Sequence, residues 1–143
     1  KKVCGILTEM SAQFDYVNHI VVGIGINVQN KSFPKDIESV ATSLFIETKE
    51  HYHRAELVER IWEAFEHYYE IFLQTEDLSG LVNEYNSHLV NMHQQVKVLD
   101  PKEPFEGKAM GITPKGELIV DTWESRKLVS TGEVSVRGIY GYV

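Results

Sequence analysis

Part-way along this chain the hydrophobic period changes, and that change limits the available folds more than any other feature. Val58, Ile61, Trp62, Phe65, Tyr68 or Tyr69, and Phe72 recur at helical spacing, while Glu56, Glu59, Arg60, Glu63 and Glu66 fall largely off that stripe. A second helix is expected over Leu78, Leu81, Val82, Tyr85 and Leu89, with Asp77 as its N-cap and Gly80 in its first turn. The connection is short, so the two helices are expected to pack as antiparallel neighbours. From about residue 94 the spacing alternates instead: Val96 and Val98, then Leu118, Val120 and Thr122, then Val134 and Val136. Thr113-Pro114-Lys115-Gly116 is a turn by its chemistry, because Pro presets the first central position and Gly closes it. Short strands at such close spacing predict a small closed or nearly closed β-barrel. The boundary, near residues 91 to 95, separates an α/β portion from an all-β portion.

Ahead of the helices stand two strand-like runs, residues 2 to 10 and the richer YVNHIVVGIGINV at 16 to 28. Ser11 to Asp15 between them is short enough to join antiparallel strands. Residues 29 to 40, around Pro34, form a loop whose length suggests a functional role. Lys1-Lys2-Val3-Cys4-Gly5-Ile6-Leu7 is strand-like from its first residues, so the sequence is expected to be a fragment of a longer protein.

Composition excludes several classes. The 143 residues are 43% hydrophobic and 24% charged, the profile of a globular domain or a small pair. No apolar run approaches the roughly 18 residues a membrane span needs, and no signal peptide opens the chain. The single cysteine, Cys4, allows no intramolecular disulfide and suits a reducing cytoplasm. A net charge of -7 argues against a broad nucleic-acid surface, though not against a local nucleotide site.

The segment with most chemical content is Val22-Gly23-Ile24-Gly25-Ile26-Asn27. Glycines at alternate strand positions face one side and leave it bare. Two readings are open: a ligand lies against the main chain, or another backbone element approaches closely. Val28 stands where a dinucleotide fingerprint needs its third glycine, and a Walker phosphate loop is absent. Asn27 can fix a phosphate or ribose through its amide, or cap the turn that follows. Lys2, before Gly5-Ile6-Leu7, is either a solvated terminal lysine or a cation that neutralises a carboxylate or phosphate beside the bare face. His51-Tyr52-His53 lacks zinc-ligand spacing, so no metal site is expected. Cys4 has no histidine partner pattern and reads as a small hydrophobe.

In order along the chain, Lys2-Val3-Cys4-Gly5-Ile6-Leu7-Thr8-Glu9 resembles the K-x-x-G-I-L-x-E strand of bacterial biotin–protein ligases, and Val22 to Val28 resembles their G-x-G-I-N strand. Ala41-Thr42-Ser43-Leu44 is similar to a segment of Gram-positive members. Gly107 to Ile112, Gly116 to Leu118 and Gly132 to Arg137 resemble the family's C-terminal SH3-like domain. The resemblance implies an α+β architecture: residues 1–93 as the C-terminal part of a mixed-sheet, class II synthetase-like catalytic domain, and residues 94–143 as an SH3-like β-barrel. It implies a cytoplasmic ligase that uses ATP and magnesium to convert biotin to biotinyl-5′-adenylate, then passes biotin to a lysine of a biotin carboxyl carrier protein. Lys2 would contact the biotin carboxylate and adjoining phosphate. Gly23 and Gly25 would let the ring lie flat, Ile6 and Leu7 would wall the pocket, and Asn27, Glu133 and Arg137 would serve the nucleotide side.

The family's glycine-arginine-rich loop and several biotin contacts lie before the position of Lys2, as does the helix-turn-helix that some members use as repressors. The chain alone is therefore expected to lack adenylation activity. A lipoate-attaching enzyme, which shares the catalytic fold, is one alternative; the G-I-G-I-N strand and SH3-like tail favour biotin. A non-enzymatic module that binds a carrier, or forms a homodimer by strand pairing, is another.

Overall fold

The computed structural model describes residues 1–100, 103–130 and 135–138. Its contacts divide into two units, Lys1–Glu59 and Arg60–Val143. No helix among the described residues is long and apolar enough to cross a membrane.

In the first unit, β1 (Cys4–Ala12) and β2 (Val17–Ile26) form an antiparallel hairpin. The β-branched and apolar residues of both runs favour extended backbone, and the connection closes through Gln13 N donating to Tyr16 O at 2.8 Å. The ladder pairs Gly5 with Gly25 and Leu7 with Gly23, with an irregularity between Ser11 and Ala12. A third segment joins beside β1. Lys2 forms a parallel bridge with Ala41, made by Lys2 N to Val40 O (2.7 Å) and Thr42 N to Lys2 O (3.0 Å). Next comes α1 (Leu44–Thr48), whose N-cap Ser43 accepts from Ile46 N. It stops at Lys49, at φ 64°, whose N–H reaches back to Phe45 O.

α2 (Arg54–Thr75) is long because an unbroken helical pattern carries no Gly or Pro. α3 (Val82–His88) is shorter than its periodicity predicts. Asp77 Oδ1 accepts from Ser79 N at 2.7 Å and so caps a turn instead of the helix. Hydrogen bonding from Ser79, through its side chain first and this backbone N–H second, holds the Asp77 carboxyl below its ordinary pKa. α2 and α3 meet through Tyr68 Oη donating to Glu84 Oε1 at 3.4 Å.

The second unit then builds an antiparallel sheet from β3 (Gln95–Leu99), β4 (Phe105–Ile112), β5 (Leu118–Asp121), β6 (Arg126–Val129) and β7 (Ser135–Gly138). Their order is β6-β5-β4-β3-β7. Val96, Val98, Ala109 and Val120 form a buried cluster, with Phe105, Leu118 and Val129 packed against it. Gly107 lies tight against the neighbouring strand β5: a Cβ there would stand 2.6 Å from Val120 Cγ1 and 2.7 Å from Asp121 O. The expected Thr113–Gly116 turn is present, with Gly116 N donating to Thr113 O at 2.9 Å. α3 attaches to the sheet through Asn86 Oδ1, which accepts from Ile112 N at 3.0 Å. Across β5 and β6, Arg126 clamps Asp121 with Nε–Oδ1 at 2.7 Å and Nη2–Oδ2 at 3.0 Å.

The expected SH3-like β-barrel is not formed. β6 and β7 are the two edges of an open sheet and do not pair with one another among the described residues. Alternation identifies the inward side chains of a strand, but closure requires a tilt and stagger that bring the first and last strands together. That geometry is not encoded in the period. The β5, β6 and β7 strands are 4 residues each, so each edge offers only a short ladder.

Candidate active-site face

The hairpin pleat sorts its residues into two faces. Gly5, Leu7, Val21, Gly23 and Gly25 fall on one, and Cys4, Ile6, Thr8, Val22, Ile24 and Ile26 on the other. The first face is bare where the glycines pair. A Cβ on Gly23 would meet only Leu7 O at 3.7 Å, and one on Gly25 only Gly5 O at 3.8 Å, both ordinary contact distances. Neither glycine has positive φ. Within the described residues, then, neither packing nor backbone conformation requires glycine at 23 or 25.

Lys2 lies over this face. Its Cε and Nζ stand 3.5 and 3.7 Å from the point a Gly5 Cβ would occupy. Lys2 is thereby brought beside Gly5, on the face that also carries Leu7, Gly23 and Gly25. Ile6 is not: it pairs with Ile24 on the opposite face, because adjacent strand residues cannot share one side. An ammonium over a side-chain-free sheet surface can hold a carboxylate or phosphate with little steric hindrance.

Asn27, just beyond β2, is tied into the framework. Its Nδ2 donates to Thr42 O at 3.0 Å, its backbone N to Val3 O at 2.9 Å, and its carbonyl accepts from Leu44 N at 2.9 Å. With one Nδ2 hydrogen committed, the second N–H can still donate, and Oδ1 can face a ligand as an acceptor or a metal ligand. Among the described residues, no three His, Cys, Asp or Glu side chains converge as a metal site would require. Glu133 lies outside the described residues. Arg137 pairs through its backbone with Lys97 in β3, and its side chain lies outside the described part.

The segment 41–44 contributes most that residue-by-residue reading missed. Ala41 bridges Lys2, and Thr42 binds Lys2 through its N–H and Asn27 through its carbonyl. Thr42 Oγ1 also donates to Glu47. Ser43 is fully buried, donates to Asn30 O at 2.6 Å and accepts from Ile46 N at 3.1 Å. The same stretch therefore fixes the backbone of Lys2 and the amide of Asn27. Its sequence signal is a serine followed by an apolar helical turn, which identifies an N-cap without indicating what the cap holds.

Residues 94–137 match the family model described as the biotin protein ligase C terminal domain. Over 138 residues, 95% of this chain, the sequence is 32% identical to the bifunctional ligase/repressor BirA of Bacillus spizizenii, covering 42% of that protein. BirA of Bacillus subtilis matches with the same identity and coverage. The chain matches the C-terminal part of the biotin–protein ligases.

Solved ligase structures agree. The apo biotin protein ligase of Aquifex aeolicus superposes with a TM-score of 0.83 at 28% identity, covering 96% of this chain and 59% of that one. The Aquifex enzyme in complex with biotin and ATP gives 0.80 at 28% identity, covering 96% and 56%. The α+β catalytic fold of the biotin–protein ligases is thus present here, and the chain spans 42% of the length of the curated relatives it matches.

Proposed function

We propose that this chain supplies the C-terminal part of a biotin–protein ligase, with residues 1–93 serving the catalytic domain and 94–143 the C-terminal domain. The observation that carries this reading is the ammonium of Lys2 over the face shared by Gly5, Gly23 and Gly25. The complete ligase joins the biotin carboxylate to the α-phosphate of ATP, releases pyrophosphate, and then passes biotin to a lysine of a carrier protein with release of AMP. Magnesium, arriving with the nucleotide phosphates, neutralises their charge. Lys2 holds the carboxylate and the adjoining phosphate, where negative charge concentrates as the bond forms. Gly23 and Gly25 let the ligand lie against the main chain, and Leu7 borders that surface. Asn27 offers Oδ1 to the nucleotide or its metal, while Glu133 and Arg137 serve the nucleotide side.

The test is biotin-dependent pyrophosphate exchange in a polypeptide where this chain is completed by the preceding segment of a relative. Lys2→Ala lowers the exchange rate by about 10² or more, the usual loss when a group stabilising developing charge is removed. Exchange unchanged by Lys2→Ala sinks the assignment. Lipoate-dependent exchange exceeding the biotin-dependent rate redirects it to lipoate attachment. Calorimetric binding of the carrier domain with no binding of biotin redirects it to a carrier-binding module.

A further inference from the structure

The three glycines of the bare face are not equivalent. At Gly23 and Gly25 an added Cβ meets backbone oxygen alone, whereas at Gly5 it meets the side chain of Lys2. Gly5 has no positive φ, so an L residue is conformationally free to stand there. Across the ladder its partner is Gly25, which also brings no side chain into the space. The backbone of Lys2 is held separately, by its bonds to Val40 and Thr42. The stem that carries the ammonium has no such tether. Its Cε and Nζ lie against the space left empty at position 5.

We propose that Gly5 is a positioning residue for Lys2, its missing side chain forming the seat in which the lysine stem lies with Nζ over Gly5. The inference rests on the reading of Lys2 as the anion-binding group, and adds how the ammonium is aimed. It predicts a size dependence. A Cβ at position 5 stays at ordinary contact distance from Lys2 Cε, at 3.5 Å, so alanine is accommodated. The two methyls of valine reach further and take the volume of the stem itself. A glycine needed for backbone conformation would give no such gradation, because alanine would already fail.

Nuclear magnetic resonance on the 143-residue chain tests this directly. In Gly5→Ala the ε-methylene of Lys2 shows a nuclear Overhauser contact to the introduced methyl; its absence overturns the proposal. In Gly5→Val the Lys2 side-chain signals move to the positions of freely solvated lysines, while the Lys2 and Thr42 amides keep their exchange protection. Unchanged Lys2 signals in a folded Gly5→Val overturn it as well. Where Gly5→Val does not fold, the alanine contact decides alone.

A biotin titration of the chain completed by the preceding segment of a relative then separates this proposal from the functional reading. Gly5→Val and Lys2→Ala each weaken binding by a similar factor, about 10- to 100-fold for loss of a charged hydrogen bond. The double variant is no weaker than Lys2→Ala, because the seat acts only through the lysine. A further loss of similar size in the double variant means position 5 acts on the ligand itself and overturns the proposal. Absence of biotin binding by the completed wild-type polypeptide, with the alanine contact present, counts against the ligase site and leaves the seat of Lys2 established.

Discussion

The β1–β2 hairpin and the five-stranded sheet are written in the same alphabet of Val, Ile, Leu and Gly, yet they use it in opposite ways. In the sheet, Val96 and Val120 are 0% exposed and Val98 is 1% exposed. In the hairpin, Ile6 is 69%, Leu7 65% and Ile20 56% exposed. The sheet turns one face onto a cluster that it completes from its own strands, with α3 attached through Asn86. The hairpin exposes apolar side chains on both faces, Leu7 and Val21 on one and Ile6, Ile20 and Ile24 on the other, a feature of strands covered on two sides. Two strands alone are marginal in water. One region thus derives its stability from internal packing, and the other devotes its surface to what lies against it.

Glycine marks the same contrast, and substitutions can break it. The largest effect is expected from Gly107→Ala. The new Cβ would stand 2.6 Å from Val120 Cγ1 and 2.7 Å from the Asp121 carbonyl, so backbone must move, at a cost of about 3 kcal/mol. Urea denaturation followed by circular dichroism measures it; an unchanged midpoint means Gly107 and β5 are not in this contact. Next, Val120→Ala removes two methyl groups from the buried cluster and loses about 2 kcal/mol. The matched Ile24→Ala, on the exposed hairpin, changes stability by less than about 0.5 kcal/mol. Equal losses for the two would erase the distinction between the regions.

Ser43→Ala falls between. It deletes an N-cap bond and a bond to Asn30 O from a fully buried hydroxyl, and is expected to lose about 1 kcal/mol. Exchange of the Lys2 and Thr42 amides should accelerate with it; unchanged exchange would mean that segment 41–44 holds Lys2 without help from the cap. Gly25→Ala reverses the sign found at Gly107. Its Cβ meets only Gly5 O at 3.8 Å, so a narrower unfolded ensemble stabilises the fold by up to about 1 kcal/mol. Thermal melting checks this, and a lowered midpoint would show hidden crowding on the bare face.

The smallest effect is electrostatic. The hydrogen bond from Arg126 is the main cause holding the Asp121 carboxyl below its ordinary pKa, and the same pairing raises that of Arg126. A depressed folded-state pKa means the contribution is present above the unfolded aspartate pKa. It is lost as pH falls through the lower, folded value. Asp121→Asn should remove that acid-side slope and leave the neutral-pH midpoint nearly unchanged, since the pair is exposed. An unaltered slope in acid titrations of stability would rule out this pair as its source.

Much of the architecture could be read from residue order. The stripe from Val58 to Phe72 foretold α2, the two apolar runs foretold an antiparallel pair, and Thr113-Pro114-Lys115-Gly116 foretold its turn. These depend on contacts a few residues apart, so local chemistry suffices. The start of α3 was less legible because Asp77 had two nearby uses, and the bond to Ser79 prevailed over helix capping. The bare face was visible in the spacing of Gly23 and Gly25, but its third member, Gly5, and the exclusion of Ile6 depend on cross-strand register.

By itself the sequence determined the element types, the change from helical to alternating period, and the motifs that place the chain among biotin–protein ligases. Periodicity and turn chemistry act within one segment, so they need no partner. Tertiary structure decided that the sheet stays open, that Ala41 and Thr42 secure Lys2, and that its ammonium lies over Gly5. Each of these joins residues from different segments. Register, closure and the space a missing side chain leaves exist only once those segments have met.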